Sequence, residues 1–130
     1  AAFEPCVIPE IVYTHPEIVV VGISEQKAKQ IGYDIKITKF PLTALGGAVA
    51  TLRERGFVKI IHDKDGRLLG IGIVGKGASE LAGEAALAIE MNAYLEDLAA
   101  TVHAHPTMYE SLHEAAELAL GKPMHGFIKK

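Results

Sequence analysis

Residues 57–74 have the sequence FVKIIHDKDGRLLGIGIV, and this stretch is the strongest indication of the fold. Residues 57–62 and residues 67–74 are both rich in Val, Ile, Leu or Phe, residues that favour strands or a buried sheet. Between them, Asp63-Lys64-Asp65-Gly66 supplies the Asp and Gly that reverse a chain tightly. The stretch therefore predicts two antiparallel strands joined by a turn.

Outward from this hairpin, strands dominate the earlier chain and helices the later chain. One early helix is indicated, with Ser24 able to cap its start and Gly32 able to end it. After residue 79, apolar residues recur at spacings of three and four, which is typical of helices. This order favours an α+β fold, with a largely antiparallel β-sheet and helices packed on one side. The other predicted strands are 7–13, 18–21 and 33–40, and the helices are 25–31, one from 79 onward, 94–102, and one from Pro106 to about Leu120.

Composition narrows the classes of partner. The 130 residues suffice for one domain with a hydrophobic core, and 49% are apolar. A net charge of −3 argues against nucleic acid, and no apolar run is long enough to span a membrane. Cys6 is the single cysteine, so no internal disulfide can form and we expect a reducing compartment. The chain begins with Ala1, from which we expect it to be processed or cut from something longer.

The glycines of the second hairpin strand match the sequence pattern of a nucleotide-binding loop. Gly70-Ile71-Gly72-Ile73-Val74-Gly75 fits the pattern G-x-G-x-x-G, and Glu90 follows about 20 residues later. These glycines lie inside a hairpin strand, however, rather than between a strand and a helix. Gly77 also replaces the Ser or Thr that a phosphate loop needs. The pattern therefore indicates a bulge or close packing of the sheet.

Three interpretations compete for the run His103-Ala104-His105-Pro106-Thr107-Met108-Tyr109-Glu110. Thr107 and Glu110 have the spacing of a helix capping box, which would make His105 an incidental loop residue. A metal could use His103 and His105 together with His113, but their spacing is poor, and the run from His113 to Glu117 lacks the second histidine of H-E-x-x-H. Alternatively, His105 is an acid–base catalyst oriented by Glu110, because histidine changes charge near neutral pH. One carboxylate has two oxygens and could serve as cap and partner together.

Other titratable and apolar residues have ordinary interpretations. His62 lies near the hairpin turn and is predicted to be solvated. Met91 and Met108 are predicted to be packing residues, because methionine fills irregular gaps in a core.

The run around His105 resembles the C-terminal signature of the dihydrolipoamide dehydrogenases, a family of flavin-dependent pyridine nucleotide–disulfide oxidoreductases. The resemblance covers essentially the whole chain and matches the interface domain of that family, here residues 1–130. The doubled histidine before Pro-Thr is more similar to these dehydrogenases than to glutathione reductases. Further matching residues are Ile8-Pro9-x-x-Val12-Tyr13-Thr14-x-Pro16-Glu17 with Val21-Gly22, Gly56-Phe57-Val58-Lys59, and Leu69-Gly70.

The resemblance implies a catalytic role for two residues. His105 would take a proton from dihydrolipoamide, with Glu110 as its orienting partner, so that a thiolate attacks a redox-active disulfide. His105 and Pro106 would face the flavin and disulfide of the other subunit in an obligate two-fold homodimer. FAD and NAD serve the complete enzyme, but the domains that bind them are absent from this chain. The chain alone is therefore expected to bind neither cofactor and to be inactive, and no metal is expected.

The resemblance also implies partners and a location. Residues 91–102 correspond to a surface near the dimer axis that docks a subunit-binding domain of an acyltransferase core. The alternative function is purely structural: a dimerisation and docking module for a 2-oxo acid dehydrogenase complex. The expected location is the cytoplasm, or the mitochondrial matrix in a eukaryote.

Overall fold

The computed structural model describes residues 7–45, 55–105 and 107–122. Its five strands form one antiparallel sheet in the order β1-β2-β5-β4-β3. The strands are β1 (Glu10–Val12), β2 (Glu17–Gly22), β3 (Ile35–Pro41), β4 (Gly56–Asp63) and β5 (Leu68–Gly75). The helices are α1 (Glu25–Gln30), α2 (Ala82–Glu90), α3 (Leu95–Ala100) and α4 (Glu110–Ala119), with 3₁₀ turns at Leu42–Ala44 and Ala78–Leu81.

The predicted hairpin is confirmed as β4 and β5, and it occupies the middle of the sheet. Asp63 holds the turn, because its Oδ1 accepts hydrogen bonds from the backbone N–H groups of Asp65 and Arg67, each at 2.9 Å. Gly66 adopts φ +91°, a left-handed conformation that glycine reaches at little cost. The local turn chemistry therefore sets the register of the two central strands.

The core lies between one face of the sheet and the helices α2 and α4. Helix α2 packs over β2 and β5, helix α4 packs over β3 and β4, and α3 packs against α4. Each fully buried aliphatic side chain on this face contributes about 1.5–3 kcal/mol to folding. The architecture confirms the predicted α+β class. The apolar strand residues in this core cluster are Val19, Val21, Phe40, Val58, Ile60, Leu68, Ile71 and Ile73.

Helix α1 begins and ends where its local signals predict. The Ser24 hydroxyl accepts a hydrogen bond from the Lys27 N–H at 3.0 Å, which satisfies one unpaired donor of the first turn. Gly32 follows the helix at φ +75°. Glu25 of this helix pairs with Lys59 of β4 at 3.4 Å, so a short surface helix is tied to the sheet.

Close backbone packing explains the glycines of β5, as predicted. Gly70 pairs with Gly22 across the β2–β5 ladder. A Cβ added at Gly70 would lie 2.1 Å from the carbonyl oxygen of Ile23, and one at Gly22 would lie 2.3 Å from that of Leu69. Both strands therefore need glycine here, because the backbone at the end of β2 lies directly against the backbone of β5.

Three details differ from the sequence predictions. His62 is buried rather than solvated, since β4 continues to Asp63 and the imidazole Nδ1 lies 2.8 Å from the Asp63 carbonyl oxygen. Met91 is 70% exposed rather than packed, because it follows the end of α2, whereas Met108 is buried as predicted. The last helix begins at Glu110, four residues after Pro106, and Pro106 itself lies outside the described residues.

No helix in the described ranges combines the length and apolar character needed to cross a bilayer.

Candidate active site

The sequence-predicted site residues lie in and beside the connection between α3 and α4, residues 101–109. Pro106 lies outside the described residues, most of residues 101–105 are exposed, and the side chain of His105 is 73% exposed. Glu110, at the first position of α4, is only 14% exposed. The loop thus presents a histidine to the outside while its carboxylate partner is fixed to a packed helix.

The structure brings His105 and Glu110 into direct contact. The imidazole Nδ1 lies 2.8 Å from Glu110 Oε1 and 3.0 Å from Oε2. An ionised carboxylate can only accept, so Nδ1 carries the proton of this hydrogen bond. In the neutral imidazole the lone pair is then on Nε2, for which the described residues provide no hydrogen-bond partner. The pair therefore presents a proton-accepting nitrogen to the exterior.

Glu110 also holds the turn that leads into its helix. Its Oε2 accepts a hydrogen bond from the Thr107 backbone N–H at 3.0 Å, which is half of the predicted capping box. The other half is absent, because the Thr107 hydroxyl donates to the Ala104 carbonyl at 2.6 Å and the N-cap residue of α4 is Tyr109, without a side-chain cap. One carboxylate therefore contacts both His105 and the backbone of the turn.

The histidines considered as metal ligands have separate partners. His103 Nε2 hydrogen-bonds Glu84 Oε1 of α2, and its ring lies 5.7 Å from that of His113, centroid to centroid. His105 instead contacts Glu110. Within residues 7–45, 55–105 and 107–122, no group of three His, Cys, Asp or Glu side chains converges on a metal-sized site.

The Glu84–His103 contact is the part of this region that the sequence reasoning missed. The His103 side chain is 5% exposed and that of Glu84 is 25% exposed. The spacing of Glu84 and His103 along the sequence does not predict their contact. The sequence feature that could have indicated the contact is Glu84, the one acidic residue in the first turn of the alanine-rich helix α2.

The glycine-rich strand has no free space beside Gly70, because backbone atoms of Ile23 occupy it. A pyrophosphate group needs an open cradle at the start of a helix. These glycines lie inside β5, so they do not form such a cradle.

The predicted docking segment, residues 91–102, contains strongly exposed apolar side chains. Met91 is 70% exposed and Val102 is 95% exposed, and Leu87 of α2 is exposed beside them. A groove of about 430 Å³ runs between α2 and α3 and is lined by Leu87, Met91, Leu98 and Thr101, among others. This surface lies next to the connection that carries His105.

Residues 8–116 match the family described as the pyridine nucleotide-disulphide oxidoreductase dimerisation domain. The chain is 49% identical over 120 residues to a dihydrolipoyl dehydrogenase of Haemophilus influenzae, covering 92% of this chain and 25% of that protein. It is 46% identical over 126 residues to dihydrolipoyl dehydrogenase 2 of Haloarcula marismortui, covering 96% of this chain and 27% of that protein. The chain thus spans about a quarter of the length of these curated relatives.

Solved structures show the same fold. LpdA from Mycobacterium tuberculosis superposes with a TM-score of 0.83 at 27% identity, covering 92% of this chain and 26% of that one. The HOCl-induced flavoprotein disulfide reductase RclA from Escherichia coli gives 0.81 at 26% identity, covering 86% and 26%. These matches confirm the resemblance carried by the run around His105. The chain belongs to the pyridine nucleotide-disulphide oxidoreductase dimerisation-domain family.

Proposed function

We propose that this chain is the interface domain of a dihydrolipoamide dehydrogenase, in which His105 is the acid–base catalyst and Glu110 orients it. The observation that carries the proposal is the 2.8 Å contact between His105 Nδ1 and the Glu110 carboxylate, combined with the exposure of the imidazole. The names of the curated relatives support the substrate class, dihydrolipoamide.

The chemistry follows from the hydrogen-bonding pattern of the pair. Nε2 accepts a proton from a thiol of dihydrolipoamide, and the electron pair of the broken S–H bond stays on sulfur. The thiolate then attacks one sulfur of a disulfide, whose S–S bond breaks to release the second sulfur as a thiolate. Glu110 stabilises the imidazolium that forms, because the charged ring keeps its Nδ1–H bond to the carboxylate.

The exposure of His105 supports catalysis across a subunit boundary. A general base that is 73% exposed can exclude water only when another surface covers it. We propose that this surface belongs to the second subunit of a homodimer, whose flavin and disulfide would lie near His105 and Pro106. In the complete enzyme FAD would transfer the electrons onward to NAD, held by segments outside this chain.

The chain alone is proposed to be inactive. Cys6 is its only cysteine, so the attacked disulfide must come from elsewhere, and the glycine pattern of residues 70–75 lies inside a strand rather than at the start of a helix. NAD reduction by the purified chain with dihydrolipoamide would contradict this statement.

The test replaces His105 with Gln in the complete flavoenzyme. Loss of general acid–base catalysis should lower kcat for dihydrolipoamide by about a hundredfold or more. Oxidation of NADH by ferricyanide, which takes electrons without a thiol proton transfer, should stay close to the wild-type rate. The matched control is His15→Gln, because His15 is also an exposed histidine but lies outside the 101–109 connection. Unchanged dihydrolipoamide turnover in His105→Gln would overturn the catalytic role.

A second candidate function is a dimerisation and docking module without a catalytic residue. The exposed side chains of Met91 and Val102 favour a docking role for residues 91–102. We propose that this surface binds a subunit-binding domain of an acyltransferase core. Calorimetric titration of the complete enzyme with such a domain should show binding that Met91→Glu weakens. No heat of binding, or equal affinity in the variant, would rule out this surface.

A further inference from the structure

We propose that Glu84 and His103 are positioning residues, which fasten the 101–109 connection to α2 and thereby set where His105 presents Nε2. The inference rests on the proposed catalytic role of His105. It adds a pair of residues that act through His105 and do not themselves touch the substrate.

The first observation is the burial of His103 within an otherwise exposed segment. Its side chain is 5% exposed, whereas Thr101, Val102, Ala104 and His105 are all exposed. His103 is thus the one inward anchor among the described residues between the end of α3 and Thr107. Ordering a loop costs conformational entropy, so a buried, hydrogen-bonded side chain is what keeps this segment in one place.

The second observation is that both ring nitrogens of His103 are hydrogen-bonded. Nδ1 lies 3.0 Å from the Thr101 carbonyl oxygen, and a carbonyl only accepts, so Nδ1 carries a proton. Nε2 faces Glu84 Oε1, and one proton lies between these two atoms whichever group formally carries it. The ring is therefore fixed in both position and rotation by one contact within the loop and one to α2.

The third observation is the geometry of the whole connection, which is held on both sides of His105. On one side is the Glu84–His103 contact. On the other, Glu110 receives the Thr107 N–H, and the Thr107 hydroxyl donates to Ala104. Removing the first support leaves only the contacts on the Glu110 side of His105, where the Tyr109 hydroxyl also donates to the Glu80 carbonyl at 3.2 Å. A displacement of about 1 Å at a catalytic group is enough to lower a rate by up to about a hundredfold.

The test uses the complete flavoenzyme and two substitutions of one residue. Glu84→Ala removes the acceptor for His103 and should lower kcat for dihydrolipoamide by about tenfold. Glu84→Gln keeps a partner for Nε2, since its amide can donate to an unprotonated Nε2 or accept from Nε2–H, and it should restore kcat to within about threefold of wild type. NADH oxidation by ferricyanide should stay within about twofold in both, since it needs no proton transfer at His105. Glu80→Ala, an exposed glutamate just before α2, is the matched control and should have no effect.

A double variant separates positioning from a general loss of structure. If Glu84 acts through His105, adding Glu84→Ala to His105→Gln should cost no further activity. The inference is overturned if Glu84→Ala alone keeps full turnover, if the two losses multiply, or if the ferricyanide rate falls in parallel. If His105→Gln itself keeps full turnover, the proposed function fails. If His105→Gln is slow and Glu84→Ala is not, the positioning role alone fails.

Discussion

Replacing Glu110 with Gln tests the central contact of the proposed site. The carboxylate accepts from His105 Nδ1 at 2.8 Å and from the Thr107 N–H at 3.0 Å. A glutamine has one acceptor oxygen, so its NH₂ group must face one of these two donors. If it faces His105, the ring favours the tautomer with the proton on Nε2, which cannot accept a proton from a thiol.

The magnitude follows from the bond that is lost. A hydrogen bond to a charged group is worth about 1.5–3 kcal/mol. Glu110 is only 14% exposed, and the proposed second subunit would cover the exposed side of His105, so this range applies to the complete enzyme. Applied to the imidazolium formed during proton transfer, this corresponds to a decrease in kcat of about 10- to 200-fold. Loss of a first-turn carboxylate from α4 should in addition cost about 0.3–1 kcal/mol of stability.

The assay measures kcat for dihydrolipoamide in the complete enzyme, with ferricyanide-linked NADH oxidation as the internal reference. The matched control is Glu96→Gln, which removes another first-turn glutamate, from the exposed side of α3. We expect the control to keep full turnover. A kcat for Glu110→Gln within about twofold of wild type would refute the argument that this carboxylate sets the tautomer and charge of His105.

Two further predictions concern stability. Gly70→Ala should destabilise the chain by about 3 kcal/mol or more, because the new Cβ would meet the Ile23 carbonyl. Gly83→Ala should stabilise the chain by about 0.5–1 kcal/mol, because this position of α2 has open space for a Cβ. Equal denaturation midpoints for the two variants would contradict this prediction. The hydrogen bond from the Ser79 backbone N–H lowers the pKa of Glu17 below its usual 4.5. Its stabilisation is therefore fully present above that value and lost as pH falls through the lowered pKa, so Glu17→Gln should flatten the acid limb of stability against pH below the usual 4.5. An unchanged slope of stability against pH in Glu17→Gln would disprove this prediction.

The features that the sequence predicts well depend on neighbours along the chain. The turn at Asp63, the cap at Ser24 and the end of α1 at Gly32 each follow from a few adjacent residues, and all are confirmed. The contact between His105 and Glu110 is also predictable from the sequence, because the two residues lie only five positions apart across a helix start. Such contacts are predictable because few residues separate the partners along the chain.

The features that the sequence does not predict depend on which elements meet. His62 is buried because of its position in the sheet, and Met91 is exposed because α2 ends just before it. Residue spacing predicts neither the burial of His62 nor the exposure of Met91. The Glu84–His103 contact joins α2 to a loop beyond α3, and its two residues are 19 positions apart. Only the crossing of those elements brings them together.

The strand order has a consequence for how this chain folds. The local hairpin of β4 and β5 can form within microseconds, because its strands are joined by a short turn. β2 can pair with β5 only after a loop of roughly fifty residues closes, as between Val20 and Gly72. Closing that loop is the slowest topological step that this sheet requires. The paired glycines Gly22 and Gly70 lie at the end of this late ladder, so their substitution should slow folding as well as weaken the folded state.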